Sequence, residues 1–483
     1  MIHNRDMTSE EFRKHAYKFS DYIADYFSKI ESFPVLPEIE PDWLKNRLPE
    51  NAPDEGESFE EILTQIDDLI IPALTHWNHP KFMAYFNSTS SFPGILGEFL
   101  SAAFNQNAMV WKTSPAATEL EEKTLEWYRK MLGVTNEFTP FIYDTASVSS
   151  MHALASARER KFPGVIRNEG LSGNGKIPKL RVYISEEAHS SIEKSAITLG
   201  LGLYGIRKIP TNERFEMIPY ELEKAIAEDK MKGIAPLAVV ATVGTTSSTS
   251  IDPVKEIAAI CKSNNIWLHV DAAYGGTAAV VDEKNAVVTS GWEDADSIVV
   301  NPHKWMFIPV DLSVFFTKEP QTLKSAFSLV PEYLKTAEDS KVTNYMDYGL
   351  QLGRRFRSLK LWLTIKYFGK EGIAEIVGEH IRLANQFKDL IDKSDSFERL
   401  APVPFSVVSF RALPSGNESE EEINRFNEKL MGNINSTGKL FLSHTKLKGK
   451  YAIRLVISGL HTKEKDMFEA WEIINNEYQK LLK

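Results

Sequence analysis

Asn301-Pro302-His303-Lys304-Trp305 places an amine between an imidazole and an indole. Ahead of it, Ser297 to Val300 is mostly apolar and reads as a buried strand, which Pro302 ends because it has no N–H to give a ladder. An ammonium at such a strand end is poorly solvated. Its pKa falls, and the neutral amine is the form that adds to a carbonyl carbon. A lone lysine in a loop is ordinarily a solvated surface group, but a second group accompanies this one. Ile266-Trp267-Leu268-His269-Val270-Asp271 reads as another buried strand ending in an acid, followed by Ala272, Ala273, Gly275 and Gly276. A carboxylate there, with small residues leaving room for a flat ring, suits a partner for a protonated ring nitrogen.

An amine and an acid in these settings are the two groups that pyridoxal phosphate (PLP) requires: a Schiff-base lysine and a carboxylate facing the pyridinium. The segment Asp144 to Ser150 carries Thr145, Ser147, Ser149 and Ser150 ahead of a helical run from Met151 to Arg160. Hydroxyls and free N–H groups at a helix start make either a phosphate cradle or a plain N-cap. His189 follows the strand expected at 180–185. Pro331-Glu332-Tyr333-Leu334-Lys335 opens a polar stretch to Asn344 without apolar periodicity, the pattern of a loop that closes over a site.

His269-Val270-Asp271-Ala272-Ala273-Tyr274 followed by Asn301-Pro302-His303-Lys304-Trp305 resembles the group II PLP-dependent decarboxylases, and specifically the aromatic-L-amino-acid decarboxylases. The resemblance runs through nearly the whole chain, including Thr75-His76-Trp77, Ala84-Tyr85-Phe86, Ser114 to Glu121, Val240 to Thr246 and Leu352 to Lys360. It implies a PLP-dependent transferase-like fold (fold type I, aspartate aminotransferase-like) and a homodimer with its active sites at the interface. It also implies decarboxylation of tryptophan, tyrosine, phenylalanine or dopa to the arylalkylamine. The cofactor positions it carries over are Thr145, Ala146, Ser147, His189, Thr246, Asp271, Ala273, Asn301, His303 and Lys304. In the family the residue matching His189 stacks on the pyridine face and helps hold the substrate carboxylate, and the one matching Tyr333 is the proposed proton donor. Relatives with Phe at the latter position tend toward oxidative deamination to an aldehyde. The matching substrate pocket is Trp77, Tyr85, Phe86, Asn87, Met109 and Gly353. Four residues depart from the family pattern: Asp144 and Val148 replace the usual Gly and Glu around the phosphate loop, Asn87 stands for Pro, and Met109 for Phe. Two other readings stand beside the decarboxylase: an aldehyde synthase on the same scaffold, and a non-catalytic homologue that binds rather than reacts.

The 483 residues suffice for two or three domains and a large core, and 43% hydrophobic with 25% charged residues is ordinary for a globular protein. A net charge of -10 without a Lys/Arg-rich run argues against nucleic acid as a partner. Cys261 is the only cysteine, which excludes an intramolecular disulfide and a cysteine-based metal site. The polar start and the lack of a membrane-length apolar run fit the cytoplasm.

Three regions are expected. Residues 1–84 form a helical segment opened by the capping boxes Thr8 to Glu11 and Ser58 to Glu61, with a proline-rich break over 33–53. Its apolar stripes lack a core of their own and are expected to pack on a second subunit, folding back on the same chain being the alternative. Residues 85–370 alternate strands and helices, the α/β pattern of a mainly parallel sheet, with strands at 180–185, 237–242, 266–270, 297–300 and 312–316. Residues 371–483 read as a small α+β domain with strands at 405–410, 439–443 and 452–457 and a last helix from Thr462. The glycines of 168–178 lack nucleotide-binding spacing and read as a surface loop.

Overall fold

The computed structural model describes residues 6–329, 338, 341–414, 416 and 418–483. Tyr333 lies outside the described residues. The strands are β1 (Thr139–Tyr143), β2 (Leu180–Ser185), β3 (Ile206–Ile209), β4 (Ala235–Thr242), β5 (Trp267–Asp271), β6 (Ser297–Val300), β7 (Ser313–Thr317), β8 (Phe397–Arg399), β9 (Val407–Ala412), β10 (Ser443–Leu447) and β11 (Lys450–Val456). The first seven form one sheet in the order β1-β7-β6-β5-β4-β2-β3, and the last four form a second, antiparallel sheet. In the large sheet only β7 runs against its neighbours. Its central strands are buried on both faces, which is why they read as unbroken apolar runs rather than alternating ones.

Strand-end offsets of one or two residues separate most expectations from the structure. The third C-terminal strand lies further on, at Ser443–Leu447 rather than 439–443. Three strands were not expected. β1 carries Pro140, which argues against a central strand; it is an edge strand, where a missing donor is tolerated. β3 is the other edge, four residues long, with Arg207 and Lys208 at its centre, the charges that protect an open edge. β8 has three residues, too few to show a period.

The helices that matter for the site are α1 (Ser9–Ser28), α2 (Phe59–Gln65), α3 (Phe92–Phe104), α4 (Pro115–Leu132), α5 (Ala146–Lys161), α6 (Val165–Glu169) and α7 (Ser191–Thr198). Both expected capping boxes form. The capping box at Ser58 reads as opening a helix through Ile71, but α2 ends at Gln65, where the chain widens into a π-type turn at Ile66–Ile70 ahead of Pro72. α1 touches its own chain through His15 on Phe59, Tyr22 on Asp67 and Tyr26 on His76, yet buries none of its residues. Phe12, Tyr17 and Phe19 on α1 remain exposed, as do Phe92, Leu96, Phe99 and Phe104 on α3.

α5 packs against the centre of the large sheet. Its buried face is Ser149, Ser150, Ala153, Ala155, Ser156 and Ala157, with His152 and Leu154 the larger members, so the helix can approach the strands closely. The long helix Ser358–Asp392 breaks at Gly369, where φ is 64°. The second sheet and the helices Glu420–Ser436 and Glu464–Leu481 follow it.

Candidate active site

β4 and β5 end side by side, with Thr242 paired to Asp271. In a parallel pair such partners project to the same face. Trp267, His269 and Asp271 therefore share the α5 side, while Leu268 and Val270 enter the core on the other side. His269 sits below Asp271, its Nδ1 2.9 Å from Ser297 Oγ and its Nε2 3.1 Å from Ser150 Oγ. Burial holds its pKa down at about 4, so it is neutral and structural. Beyond β6 the chain turns at Pro302 into one helical turn, Pro302–Trp305, which carries Lys304.

These strand ends enclose a cavity of about 180 Å³. All ten residues expected at the cofactor line it: Thr145, Ala146 and Ser147 from the start of α5, His189 and Thr246 from loops, Asp271 and Ala273 after β5, and Asn301, His303 and Lys304 after β6. Of the expected substrate residues Phe86 joins them. Trp77 and Tyr85 instead stack on each other at 5.9 Å and are 41% and 49% exposed. Asn87 is turned into the protein, donating to Phe82 O at 3.2 Å and accepting from the Ser458 hydroxyl. Met109 accepts the Met346 N–H, and Gly353 lies against Asn107, neither lining the cavity. Ser191, Thr242, Gly244 and Tyr274 line it without having been expected. Gly244 was findable: it lies two residues past the end of β4 at φ 93°, a left-handed conformation that glycine adopts freely.

Lys304 is half-buried with its amine on the cavity. Burial lowers its pKa, and the Asp271 carboxylate opposes that fall. Its Nζ lies 5.2 Å from the centre of the Phe86 ring. Phe86 stacks on Tyr274 at 3.9 Å, and Tyr274 on Trp305 at 4.6 Å with ring planes 3° apart. The Trp305 N–H donates to His380 Nδ1 at 3.0 Å, tying the lysine turn to the long helix. His303 Nδ1 accepts the Leu312 N–H at 3.0 Å, which leaves its proton on Nε2. Burial, then the Lys304 charge, pushes its pKa down to about 4. His189 Nδ1 accepts the Ser191 N–H at 3.2 Å and faces Ser191 Oγ at 2.9 Å, so its Nε2 also carries the proton. Loss of water around the ring, then the Lys304 charge, lowers its pKa.

The residues fit PLP. Thr145 occupies the N-cap of α5 but its hydroxyl makes no capping bond, so the plain N-cap reading fails. The first N–H groups of the helix have no partner within it and are free for a phosphate. The departing residues do not obstruct this. Asp144 Oδ1 is ion-paired with Arg357 Nη2 at 3.0 Å, and its Oδ2 accepts from Gln351 at 2.8 Å. Val148 packs against the cluster of Phe141, Tyr143 and Phe315. Asn301 Oδ1 and Thr242 Oγ1 are buried without a hydrogen-bond partner among the described residues.

A doubly covered, mainly parallel sheet with a lysine just past one strand end, an acid at another and a helix N-terminus between them defines a lysine-dependent pyridoxal enzyme. Residues 41–413 match the model of the pyridoxal-dependent decarboxylase conserved domain, and the chain belongs to that family. Its cofactor is pyridoxal phosphate. Tyrosine decarboxylase 2 of Narcissus pseudonarcissus is 38% identical over 99% of this chain and 96% of its own. Phenylacetaldehyde synthase of Arabidopsis thaliana is likewise 38% identical, over 99% and 98%. The crystal structure of Oryza sativa TDC with PLP and tryptamine superposes with a TM-score of 0.95 at 31% identity, covering 99% of this chain and all of that one.

Proposed function

We propose that this enzyme decarboxylates an aromatic L-amino acid to the arylalkylamine and carbon dioxide. The observation that carries the reading is the presence of Lys304 and Asp271 on one cavity, walled by Phe86 and Tyr274 with Trp305 stacked behind them. The substrate class rests on the tyrosine decarboxylase relative and on the tryptamine-bound structural neighbour.

Bound PLP supplies a conjugated, protonatable ring that takes up the electron pair left when the carboxylate bond breaks. The chain's residues serve that ring in distinct ways. Lys304, whose pKa burial lowers against the pull of Asp271, would carry the cofactor on its amine and take it back after turnover. Asp271 holds a proton on the ring nitrogen. The N–H groups of Ala146 and Ser147, with Thr145, Asn301 and the His303 Nε2–H, hold the phosphate. Ala273 leaves space on one ring face, and His189 covers the other and offers its Nε2–H to the substrate carboxylate. Thr246 contacts the ring region. Tyr333 Oη delivers the proton to the substrate Cα.

Trp77, Tyr85, Asn87, Met109 and Gly353 remain proposed substrate-pocket residues, although they stand apart from the cavity within one chain. The exposed apolar faces of α1 and α3 support a homodimer, with residues 1–84 exchanged, 85–370 as the cofactor domain and 371–483 as the small domain. Among the described residues no helix is long and apolar enough to cross a membrane. The cytoplasm is the proposed location.

The test is incubation with a panel of aromatic L-amino acids while carbon dioxide, amine, aldehyde and peroxide are quantified. Amine matching carbon dioxide one to one supports the reading; no carbon dioxide from any of them ends it. Borohydride reduction and peptide mapping must place the cofactor adduct on Lys304. The phenylacetaldehyde synthase relative favours a second reading, an aldehyde synthase, for which aldehyde and peroxide would replace the amine.

A further inference from the structure

Thr242 lines the cavity with its backbone fixed from behind and its own polar side-chain atom left open, as is Asn301 Oδ1 on the far side of Asp271. The Thr242 N–H donates to Asp252 Oδ2 at 2.8 Å, and Asp252 Oδ1 accepts the Met217 N–H at 2.8 Å, so the end of β4 is held in place. Its residue is buried, its Cα is paired with that of Asp271, and the two side chains share a face of the sheet. Its hydroxyl, however, has no hydrogen-bond partner among the described residues. A buried hydroxyl without a partner destabilises a fold, and the arrangement is tolerated where a ligand meets it.

Neighbouring strands lie about 4.8 Å apart. A group level with Asp271 and one strand away therefore reaches the ring edge beside the nitrogen that Asp271 holds. The polar substituent on that edge of a pyridoxal ring is its phenolic oxygen, two ring bonds from the nitrogen, and an ionised phenolic oxygen is an acceptor for a hydroxyl. We propose that Thr242 is a further cofactor-binding residue, whose Oγ1–H donates to the phenolic oxygen of PLP. The hydroxyl thereby holds the ring in its own plane while Asp271 holds its nitrogen. The inference rests on the pyridoxal cofactor and the Asp271 contact, and it is independent of which amino acid is decarboxylated.

The test uses full-length Thr242→Val, which keeps the branched shape and removes the oxygen, beside Thr242→Ser, which keeps the oxygen. PLP is titrated into apoenzyme by fluorescence, and melting is followed with and without PLP. The expected result is a Kd for PLP weakened about 3- to 10-fold in T242V, the loss of one hydrogen bond, with near recovery in T242S. The T242V apoenzyme should melt no lower than wild type, because it loses an unsatisfied polar atom, while the stabilisation gained from PLP shrinks. The visible absorbance of the bound cofactor should shift in T242V and not in T242S. An unchanged Kd and spectrum in T242V would overturn the proposal. So would a drop in melting temperature that is equal in apo- and holoenzyme, which marks a structural hydroxyl. The binding arms need no substrate, so a failure of the substrate assignment leaves their outcome readable.

Discussion

Arg357→Met should weaken PLP binding through a carboxylate that never touches the cofactor. Arg357 Nη2 lies 3.0 Å from Asp144 Oδ1, and its Nε donates to Asp311 Oδ1 at 2.8 Å. The guanidinium is largely buried, and it brings the Asp311 pKa below its ordinary value against the opposing effect of burial. Removing it takes the ion-pair partner from both acids; Asp311 keeps the longer-range attraction of Lys360, whereas Asp144, next to Thr145, loses its ion pair. Asp144 is two residues from Ala146 and three from Ser147, so its charge falls within about 8 Å of a phosphate held there. At that separation one unit charge repels another by roughly 1–2 kcal/mol for an effective dielectric constant of about 20–40. A factor of ten in Kd corresponds to about 1.4 kcal/mol, so the expected weakening is about 5- to 30-fold. Raising the salt from 0.05 to 0.5 M should shrink the deficit, because the screening length falls to a few ångström. Asp144→Asn in the Arg357→Met background should restore most of the affinity while leaving the melting temperature depressed, since Asp311 is still unpaired. Titration of PLP into the three apoenzymes by fluorescence quenching reads all of this. Unchanged affinity in Arg357→Met, or no recovery in the double variant, would refute the charge argument.

Three further outcomes are expected. Acid should destabilise the protein between pH 6.5 and about 4: His152, His269 and His380 are buried with pKa values near 4, so the unfolded chain takes up protons over that window and the folded chain does not. The contribution reaches on the order of 3 kcal/mol for each at the low end, and urea midpoints measured across the window check it. Tyr333→Phe should keep carbon dioxide release but divert product from amine to aldehyde with peroxide, read by product stoichiometry; unchanged amine yield would remove Tyr333 from the mechanism. Ile298→Ala, in a fully buried central strand, should lose about 2–5 kcal/mol in denaturant melts with the adduct still on Lys304.

The difference between what was legible in the chain and what was not follows from how each residue is placed. Lys304 and Asp271 stand at the ends of strands whose apolar runs mark them as buried, so residue type and strand end together locate the chemistry. The phosphate loop was legible for the same reason, because a helix start announces free N–H groups. Thr242 was not, since a threonine at the end of a Leu-Ala-Val-Val-Ala run is an ordinary strand residue until its pairing with Asp271 is known. Ser191 was hidden differently: only the distance to His189 Nδ1 shows that it selects the tautomer. The edge strands β1 and β3 broke the pattern of the centre because they answer to the edge, where Pro140, Arg207 and Lys208 are assets.

The substrate residues bring out a division built into the fold. Lys304 and Asp271 are set by strand ends, and the proposed phosphate cradle by the start of α5. Trp77, Tyr85, Met109 and Gly353 sit on connections outside them, and two of these are large aromatic surfaces left in water. Trp77 and Tyr85 stack on each other in water, and Phe12 and Phe19 of α1 with Phe92, Leu96, Phe99 and Phe104 of α3 are exposed as well, although α1 and α3 touch through Phe12 on Phe99 and Phe27 on Phe92. The proposed second copy would cover these exposed side chains. Under the proposed function, changes at Asn87 or Met109 would act on substrate choice only through packing, because neither side chain lines the cavity, while Asp271 and Lys304 would stay where the sheet holds them.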